Sequence, residues 1–543
     1  MFVHFDVRGD KSKFNPNNLD TDEWVRIAKE AGMKYIVPTT HQSSHIIMWD
    51  SKVSTMDVTD VTPFRQPYLK ELSESCKAEG LKMGAYFAIA DPGNPLYNEP
   101  DVGGEIRPYV DYLHAVIKEL CEMHEPILLW FDASRRFRAA EAKPLLRQQD
   151  MIDMLHTYGT ISNSRLGDDD AQQYVDYLTM NDNMAPDFNL GMLWESAVTI
   201  TKDGSWHFKS KDAALRSTKD LLHRLINAAG NGGNLLLNVG PDQNGVIPKN
   251  MQDRLKEVGD WLAINGEAIY GTQAGPYPHQ ISWGSISQRK DKENTILYLN
   301  VVDWPQSGKF TLYGLHNKVL KASLLATDQE ISFKSIQENN IITFDIPKKQ
   351  PGKFVSVIKV VIENEPIMDQ DFVQLTDGKV LMEAYNAQIH DLELIQNKPS
   401  KAIDMKMVTV PQKGEGIMPG RGMTVIGFDK KGQALSWDLK VYQPGDYDVM
   451  VVSHVTKGEA WKVDGKLKAT IAGQSVESQL SDFKRLETIT MPHYLELYSK
   501  IGKVKLENAG AYTLNLEVAS DFLSEKPKIK GVVLIPTKDR GKQ

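Results

Sequence analysis

Cysteine is scarce. Cys76 and Cys121 are the only two in 543 residues, and both fall in amphipathic stretches that read as helices. That pattern argues against a disulfide framework and leaves the redox compartment open. No run approaches the ~18 consecutive apolar residues of a membrane-spanning helix. Basic charge is not in excess: the formal net charge of −8 argues against a nucleic-acid partner, which wants a basic face. Low-complexity segments and repeats of fixed period are lacking too. What remains, 41% hydrophobic and 25% charged residues, is the composition of a globular protein, and the length predicts more than one domain. The chain starts directly on a core-strand pattern, Met1-Phe2-Val3-His4-Phe5, with no leader. We expect the natural protein to begin upstream and to be periplasmic or secreted, with a cytoplasmic location as the alternative.

Residues 1–273 alternate short apolar runs with amphipathic stretches. Phe2 to Phe5, Met33 to Pro38, Leu81 to Phe87, Ile127 to Phe131 and Asn234 to Val239 read as strands. Asp20-Thr21-Asp22-Glu23 reads as a capping box ahead of Trp24, Ile27, Ala28 and Ala31. Repeated strand–helix units of this length predict a (β/α)8-like barrel. Residues 182–210 show no clear element. From residue 274 helical periodicity stops. Residues 274–366 predict a β-sandwich, and 372–543 a second, jelly-roll-like β-sandwich that is a candidate carbohydrate-binding module. In the last segment Trp437 and Trp461 are either sugar-stacking or core residues.

Asp132 closes the run Pro126-Ile127-Leu128-Leu129-Trp130-Phe131. A carboxylate at the end of a buried strand has no packing reason to be there. It is either a helix N-cap or, at the carboxyl end of a barrel strand, a catalytic group. Other strand ends add polar residues: His4, then His41, Gln42, Ser43 and His45, then Tyr86, Arg165 and Asn238. His41 and His45 have a spacing that on a helix can ligate zinc, but no glutamate lies between them and the segment reads as a loop. No metal or cofactor is expected. The cluster Arg135-Arg136-Phe137-Arg138 is a solvated face or an anion-reading patch. Gly230, Gly232 and Gly233 precede a strand, so they are no dinucleotide fingerprint.

These residues resemble glycoside hydrolase family 29, the α-L-fucosidase family. The stretches that carry the resemblance are Gly232-Gly-Asn-Leu-Leu-Leu-Asn-Val-Gly-Pro241, Asn265-Gly-Glu-Ala-Ile-Tyr-Gly271, Trp49-Asp-Ser-Lys52, Trp130-Phe-Asp132 and Trp194-Glu195. The resemblance implies a retaining exo-α-L-glycosidase acting on oligosaccharide or polysaccharide. Asp132 would be the nucleophile and Glu195 the acid/base, with Asp182 and Asp187 in reserve. It also implies that His4, Tyr86, Trp130 and Arg165 hold the sugar and that Trp206 lines the pocket. The chain departs from the family where His-Trp-Gly becomes His4-Phe5-Asp6. It departs again where the paired histidines of the gripping loop become Gln42 and Ser43. The sugar is therefore expected to be L-fucose or the related L-galactose. A catalytically silent glycan-binding protein is the rival reading, and a hydrolase using a metal at His41 and His45 a third.

Overall fold

A computed structural model describes residues 1–42, 44–97, 106–133, 143–166, 175–390, 424 and 427–537. The chain divides into two units: residues 1–183, 192–221 and 234–266 form one, and 184–191, 222–233 and 267–543 the other.

The first unit is built on parallel strands. They are β1 (Phe2–Val3), β2 (Tyr35–His41), β3 (Lys82–Met83), β4 (Ala85–Ala88), β5 (Leu128–Asp132), β6 (Ile161–Ser162), β7 (Leu178–Thr179), β8 (Trp194–Thr199) and β9 (Gly233–Val239). Their hydrogen-bonded order is β6-β5-β4-β2-β1-β9-β8-β7, with β3 also on β2. A parallel bridge between Asn163 and Tyr177 joins the two ends of that path, so the sheet curls back on itself. This is the expected barrel class. Alternate strand residues point inward: Phe2, Val37, Tyr86, Ala88, Leu128, Trp130, Ala197 and Leu236 pack together as the interior. The outward residues are buried as well, which is why the strands read as continuous apolar runs. Between β3 and β4, a Cβ on Gly84 would stand 2.8 Å from Leu128 Cγ, so the strands close up there only around glycine.

Helices follow where the pattern predicts them. The Asp20 side chain caps Thr21–Glu30 by accepting from Glu23 N–H, and Gly80, at φ +73°, ends Tyr68–Glu79. Cys76 and Cys121 lie in helices, buried and not joined in a disulfide. Among the described residues no helix is long and apolar enough to cross a membrane.

Two differences matter for the site. β2 runs on past Pro38 to His41, with a register shift between Thr39 and His41 on the β4 side. Proline suggests a strand end because it lacks a donor, yet here the chain bulges and continues. The stretch with no legible element contains β8, which holds Glu195.

The second unit is antiparallel apart from Phe372–Val373, which pairs in parallel with Leu439 and Lys440. A six-stranded sheet and a three-stranded sheet enclose a core that includes Trp283, Leu297, Phe310, Phe344 and Ile358. Further on, a six-stranded and a five-stranded sheet enclose Leu435, Trp437, Tyr447, Val449, Leu514 and Val532. Trp437 is 1% exposed and donates to Glu383 O, so it is a core residue. Trp461 packs half-buried against the same core.

Candidate active site

Parallel strands put their carboxyl ends on one face, and the polar residues gather there. Asp132 ends β5, paired with Ala88 of β4. Its side chain is one-third exposed. Tyr86 Oη donates to Asp132 Oδ2 at 2.9 Å and also lies 3.3 Å from Gln42 Oε1. Arg165 Nη1 donates to Asp132 Oδ1 at 3.0 Å, while Nη2 donates to Asp182 Oδ1 at 2.7 Å and to Met180 O at 2.9 Å. The guanidinium carbon sits 4.6 Å from the centroid of the Trp130 ring, a cation–π contact that fixes its plane. Ala133 follows at φ +61°, a left-handed conformation that costs a non-glycine residue of order 1–3 kcal/mol. Its N–H is thereby turned to the Asp132 carboxylate.

These contacts decide the charge of Asp132. Burial alone pushes its carboxyl up. The Arg165 charge, the Ala133 N–H and the Tyr86 hydroxyl outweigh that and hold it below the ordinary carboxylate range. The result is an anion kept ionised at a half-open strand end. Asn163 supports it from behind: its amide accepts from Phe131 N–H at 3.0 Å and donates to Phe131 O at 3.1 Å.

His4 lies beside this group, 5% exposed, with its ring centroid 5.4 Å from Tyr86 and 5.1 Å from Trp206. Asn238, near the end of β9, binds it at 2.6 Å through Nδ1. Asn238 Nδ2 donates to Trp206 O at 2.8 Å, so Oδ1 is the acceptor and His4 Nδ1 carries the proton. Burial pushes the imidazole down to about 4, so at neutral pH Nε2 is a bare acceptor suited to a sugar hydroxyl. Next to it, His207 and Asp6 form a hydrogen-bonded pair, and the two histidine rings meet edge to face at 5.2 Å.

The rest of the expected set divides. His41 and His45 do not open onto the carboxylate. Both are buried, and both turn to Asp91: His45 Nδ1 is bonded to it, and His41 Nε2 lies 3.4 Å away with Nδ1 on Ala88 O. Against its burial, these imidazoles hold the Asp91 carboxyl down at about 2. They brace the loop after β2 and are not placed to touch sugar. Among the described residues no group of three or more His, Cys, Asp or Glu is arranged to hold a metal. Ser43 and the Arg135–Arg138 cluster lie outside the described residues.

Glu195 requires a correction. It is the second residue of β8, at the amino end of the barrel, and 3% exposed. Trp130 Nε1 donates to it at 2.9 Å, Asn234 Nδ2 at 2.8 Å, and the Tyr35 hydroxyl donates as well. Two residues along from Tyr35, Glu195 and Asn234, on the same inward faces, come Val37, Ala197 and Leu236. An apolar layer therefore separates Glu195 from the mouth. Burial raises its carboxyl despite the three donors. It is a floor residue of the barrel. Asp187 belongs to the second unit, ion-paired with Lys530. Asp182 is left at the mouth, tied to Arg165.

Asp6, His207 and Asp91 stand near these groups without a site role read from the sequence. Asp91 was reachable by the rule that singled out Asp132, since it closes Ala88-Ile89-Ala90 after a strand. Asp6 and His207 are 201 residues apart and carry no local signal.

A family model described as alpha-L-fucosidase matches residues 4–267. An alpha-L-fucosidase of Dictyostelium discoideum is 27% identical over 365 residues, 65% of this chain and 76% of that protein. Among solved structures, an alpha-L-fucosidase from Vibrio sp. strain EJY3 superposes with a TM-score of 0.78 at 24% identity, covering 97% of this chain and 88% of the other. Alpha-L-fucosidase isoenzyme 1 from Paenibacillus thiaminolyticus gives 0.59 at 26%, covering 67% and 96%.

Proposed function

We propose that this chain, whose residues 4–267 belong to the α-L-fucosidase family, is a glycoside hydrolase that cleaves terminal α-L-fucosides by a retaining double displacement with Asp132 as nucleophile. The observation that carries this reading is the one-third-exposed Asp132 carboxylate, held ionised by Arg165, Tyr86 and the Ala133 N–H. It attacks the anomeric carbon, and the leaving oxygen takes a proton. The same acid/base group then activates water, which frees Asp132. His4 Nε2 accepts a sugar hydroxyl, and Trp206 offers the ring a surface.

For the acid/base we propose Asp182, because it is a mouth carboxylate about half-exposed and joined to Asp132 through one guanidinium. Trapping with 2-deoxy-2-fluoro-L-fucosyl fluoride and peptide mapping tests the nucleophile: the label belongs on Asp132, and a label on any other residue ends this reading.

α-L-Galactosides are a second substrate within this reading. The observation in favour is Gln42, which brings a polar amide to the Tyr86 hydroxyl. A buried hydroxymethyl needs such a partner. Comparing kcat/KM for aryl α-L-fucoside and aryl α-L-galactoside decides it, and a ratio of about a thousand for the fucoside removes the galactoside. Because polymeric glycans do not cross membranes, a periplasmic or secreted location completes the proposal, checked by cell fractionation.

A further inference from the structure

Phe2, His4 and Asp6 lie on one face of the first strand and its continuation. Phe2 packs in the barrel interior. His4 N–H donates to Val239 O at 3.1 Å, which carries the strand pairing one residue further. Phe5, between His4 and Asp6, turns outward onto Trp24 and Tyr68. Asp6 therefore stands at the inner rim of the mouth, one step beyond His4. Its side chain is 2% exposed and accepts from His207 Nε2. His207 belongs to the loop after β8, and that loop crosses the carboxyl end of β9. There Asn238 Nδ2 donates to Trp206 O, and a Cβ on Gly240 would stand 2.6 Å from His207 C, so only glycine lets the two backbones close up. The loop is thus clamped at two points, to β9 through Asn238 and to the end of β1 through Asp6.

A carboxylate only accepts, so Asp6 fixes a proton on His207 Nε2 and leaves Nδ1 as the available nitrogen. Nδ1 bonds to no described residue, and the His207 side chain is 20% exposed. The ring meets His4 edge to face at 5.2 Å and follows Trp206 in the chain, whose own ring lies 5.1 Å from His4. Two imidazoles at the mouth each have one nitrogen committed to a protein partner, Asn238 or Asp6, and one left over. Asp6 is also a position where the chain departs from the family's His-Trp-Gly, and the gripping loop carries Gln42 and Ser43 in place of paired histidines. His207 restores a second imidazole to the mouth from another loop. We propose that His207 is a specificity-determining residue of this site, its Nδ1 bonding a second hydroxyl of the terminal sugar beside the one held by His4, and that Asp6 is its positioning residue. The ligand rests on the glycosidase reading of the Asp132 site.

The test measures kcat and KM of the full-length enzyme on the aryl α-L-glycoside it hydrolyses, fucoside or galactoside, and on the monodeoxy analogues of that sugar. The fucoside itself serves as the 6-deoxy analogue of the galactoside. His207→Phe should lower kcat/KM about tenfold or more, chiefly through KM, and the loss should vanish on the one analogue that lacks the bonded hydroxyl. Asp6→Ala, which frees the ring, should reproduce that pattern. Asp6→Asn, whose amide oxygen accepts the same bond, should recover most of the activity. His207→Phe leaves Asp6 a buried carboxylate without its partner; if that variant does not fold, Asp6→Asn/His207→Phe, which removes the charge, carries the test. A loss of equal size on every analogue marks a purely structural role and overturns the proposal, as does no loss at all, and in both cases the glycosidase reading stands. A parent enzyme that hydrolyses neither glycoside ends that reading and takes the proposal with it.

Discussion

Asn238 sets the protonation of His4. Its amide nitrogen is committed to Trp206 O, so its oxygen can only accept, and the imidazole must present a bare Nε2. Asn238→Asp replaces that arrangement with a carboxylate that favours the imidazolium. The expected result is a ten- to hundredfold loss in kcat/KM, mostly in KM. An acid limb that in the parent lies near pH 4 should move upward. Nitrogen-15 shifts of His4 check the cause; an imidazole that stays neutral alongside lost activity would contradict it.

Asp132→Asn keeps the shape of the strand end and removes the proposed nucleophile. Turnover should fall by about four orders of magnitude or more with the fold unchanged by circular dichroism. A glycan-binding protein without catalysis would show no rate to lose and would retain its affinity.

Glu195 and Asp182 separate by what their loss damages. Glu195→Gln places an amide N–H2 among three donors under the barrel core. It should cost about 2–3 kcal/mol of stability with kcat of the folded fraction nearly intact. Asp182→Ala should slow poor leaving groups far more than good ones and be rescued by azide. A stable Glu195→Gln variant with azide-rescued turnover would restore Glu195 as the acid/base.

Stability should peak near pH 6–7. Burial pushes His4 and His124 down to about 4 and His454 to about 3. Between pH 6.5 and 4 the unfolded chain binds protons that the folded one refuses, so their contribution is full above 6.5 and is lost on acidification. Glu383, raised to about 8, acts in the opposite sense: its contribution is full below about 4.5 and is lost as pH climbs to 8. Urea midpoints across pH 4–9 measure both limbs, and a flat profile would refute these assignments.

Much of this was legible in the residues. Continuous apolar runs marked the barrel strands, and Asp132 stood out because a charge ends such a run. The motif carrying Asn238 pointed to the same mouth. Glu195 misled because β8 lies in a stretch without a clear pattern: Trp194-Glu195-Ser196 begins with polar and bulky residues serving the barrel floor. Without the strand, its amino-end position cannot be read. His41 and His45 were local enough to notice, but their partner Asp91 belongs to another turn of the barrel. Trp437 shows the same limit, since a tryptophan in an alternating strand reads alike whether it faces sugar or core.

Asn163 does two jobs at one seam. Its backbone bridges to Tyr177 where the ring of strands meets itself, and its side chain clasps Phe131 immediately before Asp132, two positions ahead of Arg165. The fastening of the hoop is thus also the mounting of its chemistry. Gentle warming that loosens this clasp should silence hydrolysis while the remaining staves still stand, so inactivation would run ahead of melting.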